Sequence, residues 1–233
     1  MKKYLSIYAI AAMIFTLTSC SKDTEGMTSI TYYPVIEIEG DIYDSATAGV
    51  AYTDPGYSAT LDGEDYTSNV KVTTSLDYAD PKPGYYTITY SAVNAEGFSA
   101  SATRYVLVSD PNDNISGYYT SNPQSFREYN GVTYYGAAYM IPIYNVGGNK
   151  YHVTDLLGGW YSQRAGYGSD YNLGGEVEID AAGKITLVES YLEGWGDSAN
   201  GLTDGVADPA AGTLSWVTDY TEYNMLFHVM LSK

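Results

Sequence analysis

The sequence is short of the residues from which most active sites are built: it holds one cysteine and two histidines in 233 residues. The lone Cys20 can form no intramolecular disulfide, so stability has to come from a core, and no second thiolate exists for a zinc site. His152 and His228 lie in alternating, strand-like patterns and form no pair at helical spacing, which reads as edge or core residues rather than a base or a metal ligand. Basic residues are scarce too, 11 against 28 acidic ones. A formal charge of −17 repels phosphate backbones and anionic headgroups, which excludes nucleic acid as a partner. Long apolar runs are missing: the longest near the start, Leu5–Leu17, is 13 residues, whereas a helix needs about 20 to span a bilayer core. Helical periodicity is nearly absent after it.

What is present begins at the N terminus. Met1, Lys2 and Lys3 form a positive region, and the apolar run follows directly, which is the pattern of a signal peptide over residues 1–19. The run ends in Leu17-Thr18-Ser19-Cys20, which resembles the lipobox of bacterial lipoproteins. That resemblance implies cleavage before Cys20 and acylation of its thiol, with a membrane as partner through the lipid. Each buried methylene contributes about 0.8 kcal/mol, so several acyl chains on one cysteine hold a protein firmly. Residues 20–29 read as a solvated leader, and Ser21, Asp23 and Glu25 within it resemble the acidic export tag of surface lipoproteins of Bacteroidetes-type bacteria. The expected location is the outer membrane, at the cell surface. Lys2 and Lys3 leave with the signal peptide, so the mature chain of 214 residues carries 9 basic and 28 acidic residues, a balance of −19.

Short alternating or β-branched runs broken by Gly, Asn, Asp and Pro predict an all-β protein. The turn-rich stretch Asp110–Gly117 predicts a boundary, with residues 30–109 on one side, a linker at 110–116 and a second domain at 117–233. In the first part, strands are expected at Pro34–Ile38, Ala51–Tyr52, Tyr57–Leu61, Val70–Thr74, Gly84–Asn94 and Ser99–Val108, which makes a small sandwich. The runs PVIEIEG, AYTDPGYSATLDGED and GYYTITYSAVNAEGFSASATRYVLV resemble, in order, bacterial immunoglobulin-like domains of the HYR and related uncharacterised types. Asn94 stands where that family has Asp in a D-x-x-G turn; either side chain can make the local backbone bond. The resemblance implies a non-catalytic spacer or adhesion module.

The second part offers strands near Gly117–Thr120, Val132–Ala137, Tyr139–Tyr144, Tyr151–Leu156, Gly175–Asp180, Lys184–Leu192, Thr213–Asp219 and Asn224–Leu231. Two hairpins are well signalled, turning at Ala181-Ala182-Gly183 and at Asp208–Gly212. The segments YHVTDLLGGWYSQRAGYG and TLSWVTDYTEYNMLFHVML resemble the C-terminal domain of Bacteroidetes lipoproteins with the same two-domain layout. An antiparallel sandwich or a partly closed barrel is expected.

Candidate sites are few. Carboxylate pairs such as Glu189 with Glu193 match the residue types of a glycosidase, but plentiful acids read as a solvated surface, and no enzyme activity is expected. Gly63–Asn69 and Gly196–Asp208 carry oxygen donors of the kind calcium takes, without EF-hand spacing, and read as polar turns; no metal or cofactor is expected. The tyrosine count, 27, suits both half-buried strand faces and wet recognition surfaces. Two tryptophans stand among glycines, in Gly158–Gly168 and in Glu193–Asp197. Rings with few neighbouring side chains to cover them, beside polar groups, are what a sugar site requires. The same pattern fits rings that plug the ends of a sandwich. The candidate ligand residues are Trp160, Tyr161, Gln163, Arg164, Tyr167, Trp195 and Asp197, whereas Trp216, mid-strand, reads as core. The expected function is a non-catalytic surface lipoprotein that captures glycan, with polysaccharide and an outer-membrane uptake complex as candidate partners. The alternative is a structural or adhesive surface protein that binds another protein.

Overall fold

The structure, a computed structural model, describes residues 30–220 and 224–233. The signal peptide, Cys20 and the acidic segment after it lie outside the described residues. Among the described residues all regular elements are strands apart from three short helical turns.

The N-terminal part holds β1 (Val35–Ile38), β2 (Tyr43–Thr47), β3 (Tyr57–Leu61), β4 (Glu64–Asp65), β5 (Lys71–Thr74), β6 (Gly84–Val93) and β7 (Ser99–Ser109). One sheet runs β1-β3-β4 and the other β2-β7-β6-β5. Alternation along β6 sends Ile88, Tyr90 and Ala92 inward. They meet Val106 and Val108 of β7, Leu76, and the inner residues Ile36 and Ile38 of the opposite sheet, which closes a sandwich. Ala51–Tyr52, expected as a strand, is not one: Tyr52 donates a single backbone bond to Tyr78. The missing strand is Tyr43–Thr47, which pairs parallel to β7. A parallel partner needs no adjoining turn, and YDSAT has no apolar alternation to announce it. Asn94, buried at the β6–β7 turn, accepts from Glu96 N–H and Phe98 N–H and donates to Tyr32 O at 2.7 Å. The last bond needs the amide and is closed to an ionised Asp.

The C-terminal part holds β8 (Gly117–Ser121), β9 (Phe126–Glu128), β10 (Val132–Tyr134), β11 (Met140–Gly147), β12 (Lys150–Val153), β13 (Leu173–Ile179), β14 (Ile185–Leu192), β15 (Gly201–Asp208), β16 (Thr213–Tyr220) and β17 (Met225–Ser232). From β17 the sheet runs one way through β8, β11, β12, β13 and β14, and the other way through β16 to β15. A single bridge between Lys184 and Val206 brings the two ends together, so the sheet is a partly closed barrel. Its interior is filled by alternate residues such as Met225, Phe227, Val229 and Leu231 of β17, packed on Ile141, Ile143, Leu156, Leu173 and Trp216. Both expected hairpins form, each with an aspartate capping its turn: Asp180 accepts from Ala182 and Lys184, Asp208 from Ala210 and Ala211.

Two strands here lie outside those expected from the sequence. Phe126–Glu128 is only three residues long. Gly201–Asp208, expected as part of a polar loop, is β15; its pairing shifts between Thr203 and Val206, where Asp204 adopts φ +52°. A Cβ on Gly205 would lie 2.5 Å from the carbonyl oxygen of Ile185, so this strand's polar, glycine-rich composition reflects close approach rather than a turn. Gly63–Asn69 likewise is no loop of free oxygens: it contributes β4 and a helical turn, with Asp65 accepting from Thr67 N–H.

The two parts meet through tyrosines. Tyr118 shares its hydroxyl proton between the carbonyls of Asp44 and Tyr105, at 2.9 and 3.1 Å. Tyr85 stacks on Tyr105 on one side and on Tyr144 on the other, and Tyr144 in turn lies against His152. Burial raises the Tyr85 and Tyr118 phenols above their ordinary range, so the seam is uncharged at physiological pH. Tyr118→Phe, which keeps the ring and removes the donor, is expected to lower stability by about 1 kcal/mol. Tyr85→Ala, which empties the middle of the stack, is expected to cost about 3 kcal/mol and to split a single calorimetric transition into two.

Candidate functional site

The Trp160 segment is organised by one buried carboxylate. Asp155 is fully enclosed and accepts four hydrogen bonds, from Leu157 N–H (2.9 Å), Gly159 N–H (3.1 Å), Leu173 N–H (3.3 Å) and the Ser162 hydroxyl (3.0 Å). Desolvation outweighs those donors and raises its pKa from 3.8 to about 6. The chain then passes through Gly158 and Gly159, both at positive φ, into one π-helical turn, Trp160–Arg164. A Cβ on Gly159 would fall 2.6 Å from that of Tyr139, so this glycine is needed for space as well as for conformation.

The turn points Trp160 inward. It is 3% exposed and packs edge-on against Tyr135 and Phe227, so it is a core ring and not a ligand platform. Glycines precede it because neighbouring side chains pack close, Tyr139 against Gly159 and Val229 and Tyr135 against Gly158, which is the plug arrangement. Gln163 is also committed elsewhere: its amide donates to Met140 O at 2.8 Å and its carbonyl accepts from Met140 N–H. Arg164 lies over the Trp160 ring, 4.2 Å from the centroid, and donates to Tyr135 O. Trp216, as expected of a core residue, is 2% exposed, with its indole N–H on Leu156 O.

Trp195 behaves differently. The turn Glu193-Gly194-Trp195-Gly196 at the end of β14 is closed by Gly196 N–H to Leu192 O and anchored by Gly194 N–H to Asp170 O. A Cβ on Gly194 would meet the Tyr171 ring at 2.7 Å, so only glycine lets Tyr171 pack beside Trp195. The indole stays 44% exposed and Tyr167 55% exposed. Tyr161, Tyr167, Tyr171 and Trp195 form one cluster, with centroid separations from Trp195 of 4.7, 6.2 and 5.0 Å. Beside it opens a cleft of about 440 Å³ lined by Tyr161, Trp195, Asp197, Tyr220 and Met225. Tyr220 donates its hydroxyl to Asp197 at 3.0 Å, and the Tyr161 hydroxyl points to the Met225 sulfur.

The structure thus brings Tyr161, Tyr167, Trp195 and Asp197 together and sets Trp160 and Gln163 apart. Sequence reasoning missed Tyr171, Tyr220, Met225 and Asp155. Tyr220 and Met225 sit in alternating strands with no local sign of a cleft, whereas Asp155 carries a signal, a carboxylate inside an apolar run before two glycines. Another groove, about 660 Å³, is walled by the Asp180–Gly183 turn and the end of β15 with Pro209, and its one aromatic ring is the half-buried Tyr151. Glu189 lines a smaller groove with His152 and Glu176, while Glu193 belongs to the turn that carries Trp195. Burial lowers the His152 pKa against the pull of Glu176 and Glu189. Among the described residues no group of three His, Cys, Asp or Glu side chains is placed to hold a metal ion.

Residues 36–108 match the family model described as "Bacterial surface protein, Ig-like domain", and residues 108–233 match a model described as a "-like, C-terminal domain". No curated protein matches the chain. Among solved structures, the lipoprotein BT2262 from Bacteroides thetaiotaomicron is similar at 37% identity and a TM-score of 0.78, covering 86% of this chain and 100% of that one. A Clostridium perfringens ZmpB structure containing CBM51-2 with GlcNAc reaches 17% identity over 51% of this chain and 31% of that one, at a TM-score of 0.28, a likeness too slight to bear on fold or function. The matched families are those of a lipoprotein and an Ig-like surface module, neither of them a catalytic family. The chain belongs to the family that includes the lipoprotein BT2262, with a bacterial surface Ig-like domain preceding an all-β, half-barrel C-terminal domain.

Proposed function

We propose that this protein is a non-catalytic lipoprotein, held at the outer face of the outer membrane by lipid on Cys20, that captures glycan in the Trp195 cleft for a polysaccharide-uptake complex. The observation that carries this reading is the exposure of Trp195 and Tyr167 over a cleft whose floor offers Asp197 and the Tyr220 hydroxyl. Sugar C–H faces stack on such rings, and sugar hydroxyls donate to a carboxylate and to a phenol oxygen. The volume falls in the range of about 300–1,000 Å³ typical of ligand clefts. The Ig-like domain and its tyrosine seam supply a stiff spacer between membrane and cleft.

The test is a polysaccharide array probed with the mature chain lacking its anchor, residues 21–233. Binding is expected, and Trp195→Ala is expected to weaken it by about 10- to 100-fold, since a stacked ring contributes on the order of 1–3 kcal/mol. The unfolding midpoint should stay within about 0.5 kcal/mol of the parent, because a half-exposed ring adds little to the core. If no polysaccharide binds while the chain co-purifies with an uptake complex, the adhesive reading replaces this one.

A further inference from the structure

The sequence contains three arginines, and Arg104 is consumed inside the Ig-like sandwich. The other two converge on one ring: Arg127 lies 4.6 Å and Arg164 4.2 Å from the centroid of Trp160. In a chain with 28 acidic residues, neither has an ion-pair partner among the described residues. Arg127 has no anionic acceptor: its Nε–H is buried without a partner among the described residues, one Nη reaches only the Met225 sulfur, at 3.9 Å, and its further side-chain bond is to the neutral Tyr161 phenol. Thioether sulfur is a weak acceptor, and a charged donor left in this state keeps an unmet demand for an anion. Met225 is a wall of the cleft, and Arg127 also acts on the Tyr161 phenol, the neighbouring wall, holding its pKa down against burial. Arg164 spends Nε on Tyr135 O and leaves the rest of an exposed guanidinium to solvent.

Building on the glycan reading of the cleft, on which the inference rests, we infer that the captured glycan is acidic, carrying planar carboxylates of the uronic-acid kind that Arg127 receives beside the Tyr161 and Met225 walls, with Arg164 adding its charge from over the Trp160 ring. The planar guanidinium fork matches a carboxylate with two parallel hydrogen bonds, a match that neither lysine nor a hydroxyl partner reproduces. Asp197 lies across the same cleft beside Trp195, where its charge repels a second carboxylate and accepts from a sugar hydroxyl. The cleft and the arginine behind its Tyr161–Met225 wall therefore orient a uronate residue: carboxylate toward Arg127, hydroxyls toward Asp197, ring face on Trp195.

The experiment titrates residues 21–233 with uronic-acid oligosaccharides and with the same oligosaccharides after reduction of their carboxylates to primary alcohols. The acidic forms are expected to bind at least about tenfold more tightly than the reduced ones, the scale of one charge-assisted hydrogen bond. Arg127→Gln should lose that preference and Arg164→Gln should weaken it; Arg164→Lys, which keeps the charge over the Trp160 ring, should retain more of the preference than Arg164→Gln does. Equal binding of acidic and reduced forms, or binding of neutral glycans alone, overturns the acidic assignment and leaves the glycan reading standing. Retention of the full preference by both glutamine variants also overturns it. Failure of every glycan to bind overturns both.

Discussion

Replacing Arg104 with methionine is expected to destabilise the Ig-like domain by about 3–5 kcal/mol, the usual consequence of removing one partner from a buried charged network. The Arg104 side chain is 0% exposed, and its guanidinium donates to the carbonyls of Glu39, Asp41 and Gly56. It also lies 3.4 Å from the Asp54 carboxylate and donates to the Tyr90 hydroxyl at 3.3 Å. Tyr90 in turn donates to Asp54 at 2.6 Å, and burial together with that bond pushes its phenol up to about 12. One arginine on β7 therefore ties the loop segments 39–41 and 54–56, which adjoin β1 and β3, to the core. The methionine fills similar volume but takes the guanidinium donor from the carbonyls of Glu39, Asp41 and Gly56 and the cation from the Asp54 carboxylate, which keeps only neutral donors such as Tyr90. Arg104→Lys keeps the charge but not the fork and is expected to recover only part of the loss. Denaturant unfolding followed by amide exchange over residues 36–108 reads both outcomes.

The second large effect is expected at Asp155. Asparagine there presents one carbonyl oxygen and an NH₂ to four donors, so at least two of them lose their acceptor, a loss of about 2–4 kcal/mol. The effect depends on pH in a defined direction. With a folded-state pKa raised from 3.8 to about 6, the native protein binds more protons than the unfolded chain between those values. Stability contributed by the protonated acid is therefore present near pH 4 and is lost as pH rises through 6. The advantage of the parent over Asp155→Asn is expected to be about 1 kcal/mol smaller at pH 7 than at pH 5. An advantage that instead grows with pH places the folded pKa of Asp155 below 3.8. Because Asp155 holds the chain that enters the Trp160 turn and hence the Tyr161 wall, the variant is also expected to weaken any ligand of the cleft.

The range of each interaction decides how much of the fold and of the cleft was legible in the sequence. Hairpins such as β13–β14 and β15–β16 are specified locally, by an aspartate and a glycine at fixed offsets, and both form. The alternation of β17 identified its inner face directly, because a period of two is a local property. Strand β2 pairs with residues 62 positions away in parallel, and β15 closes a barrel through a glycine that tolerates a neighbouring carbonyl; neither fact has a local signature. The tryptophans show the same limit. Trp160 and Trp195 look alike in sequence, each beside glycines, yet Gly159 and Gly194 do opposite work. The first lets the Tyr139 side chain pack against the turn that buries its ring, and the second lets Tyr171 build a partner for an exposed one. The Arg104 network and the Arg127–Trp160–Arg164 stack join residues brought together only by the complete fold.

The central claim is that Trp195 is the contact ring of a glycan cleft, and tryptophan fluorescence tests it directly. Trp160 and Trp216 are 3% and 2% exposed, whereas Trp195 is 44% exposed, so a soluble collisional quencher such as acrylamide reports mainly on Trp195. On saturation with a polysaccharide that binds the chain, quenching is predicted to fall, and Trp195→Ala is predicted to show neither the protection nor the affinity while keeping its unfolding midpoint. A polysaccharide that binds with quenching unchanged, and binds Trp195→Ala equally well, would contradict the account.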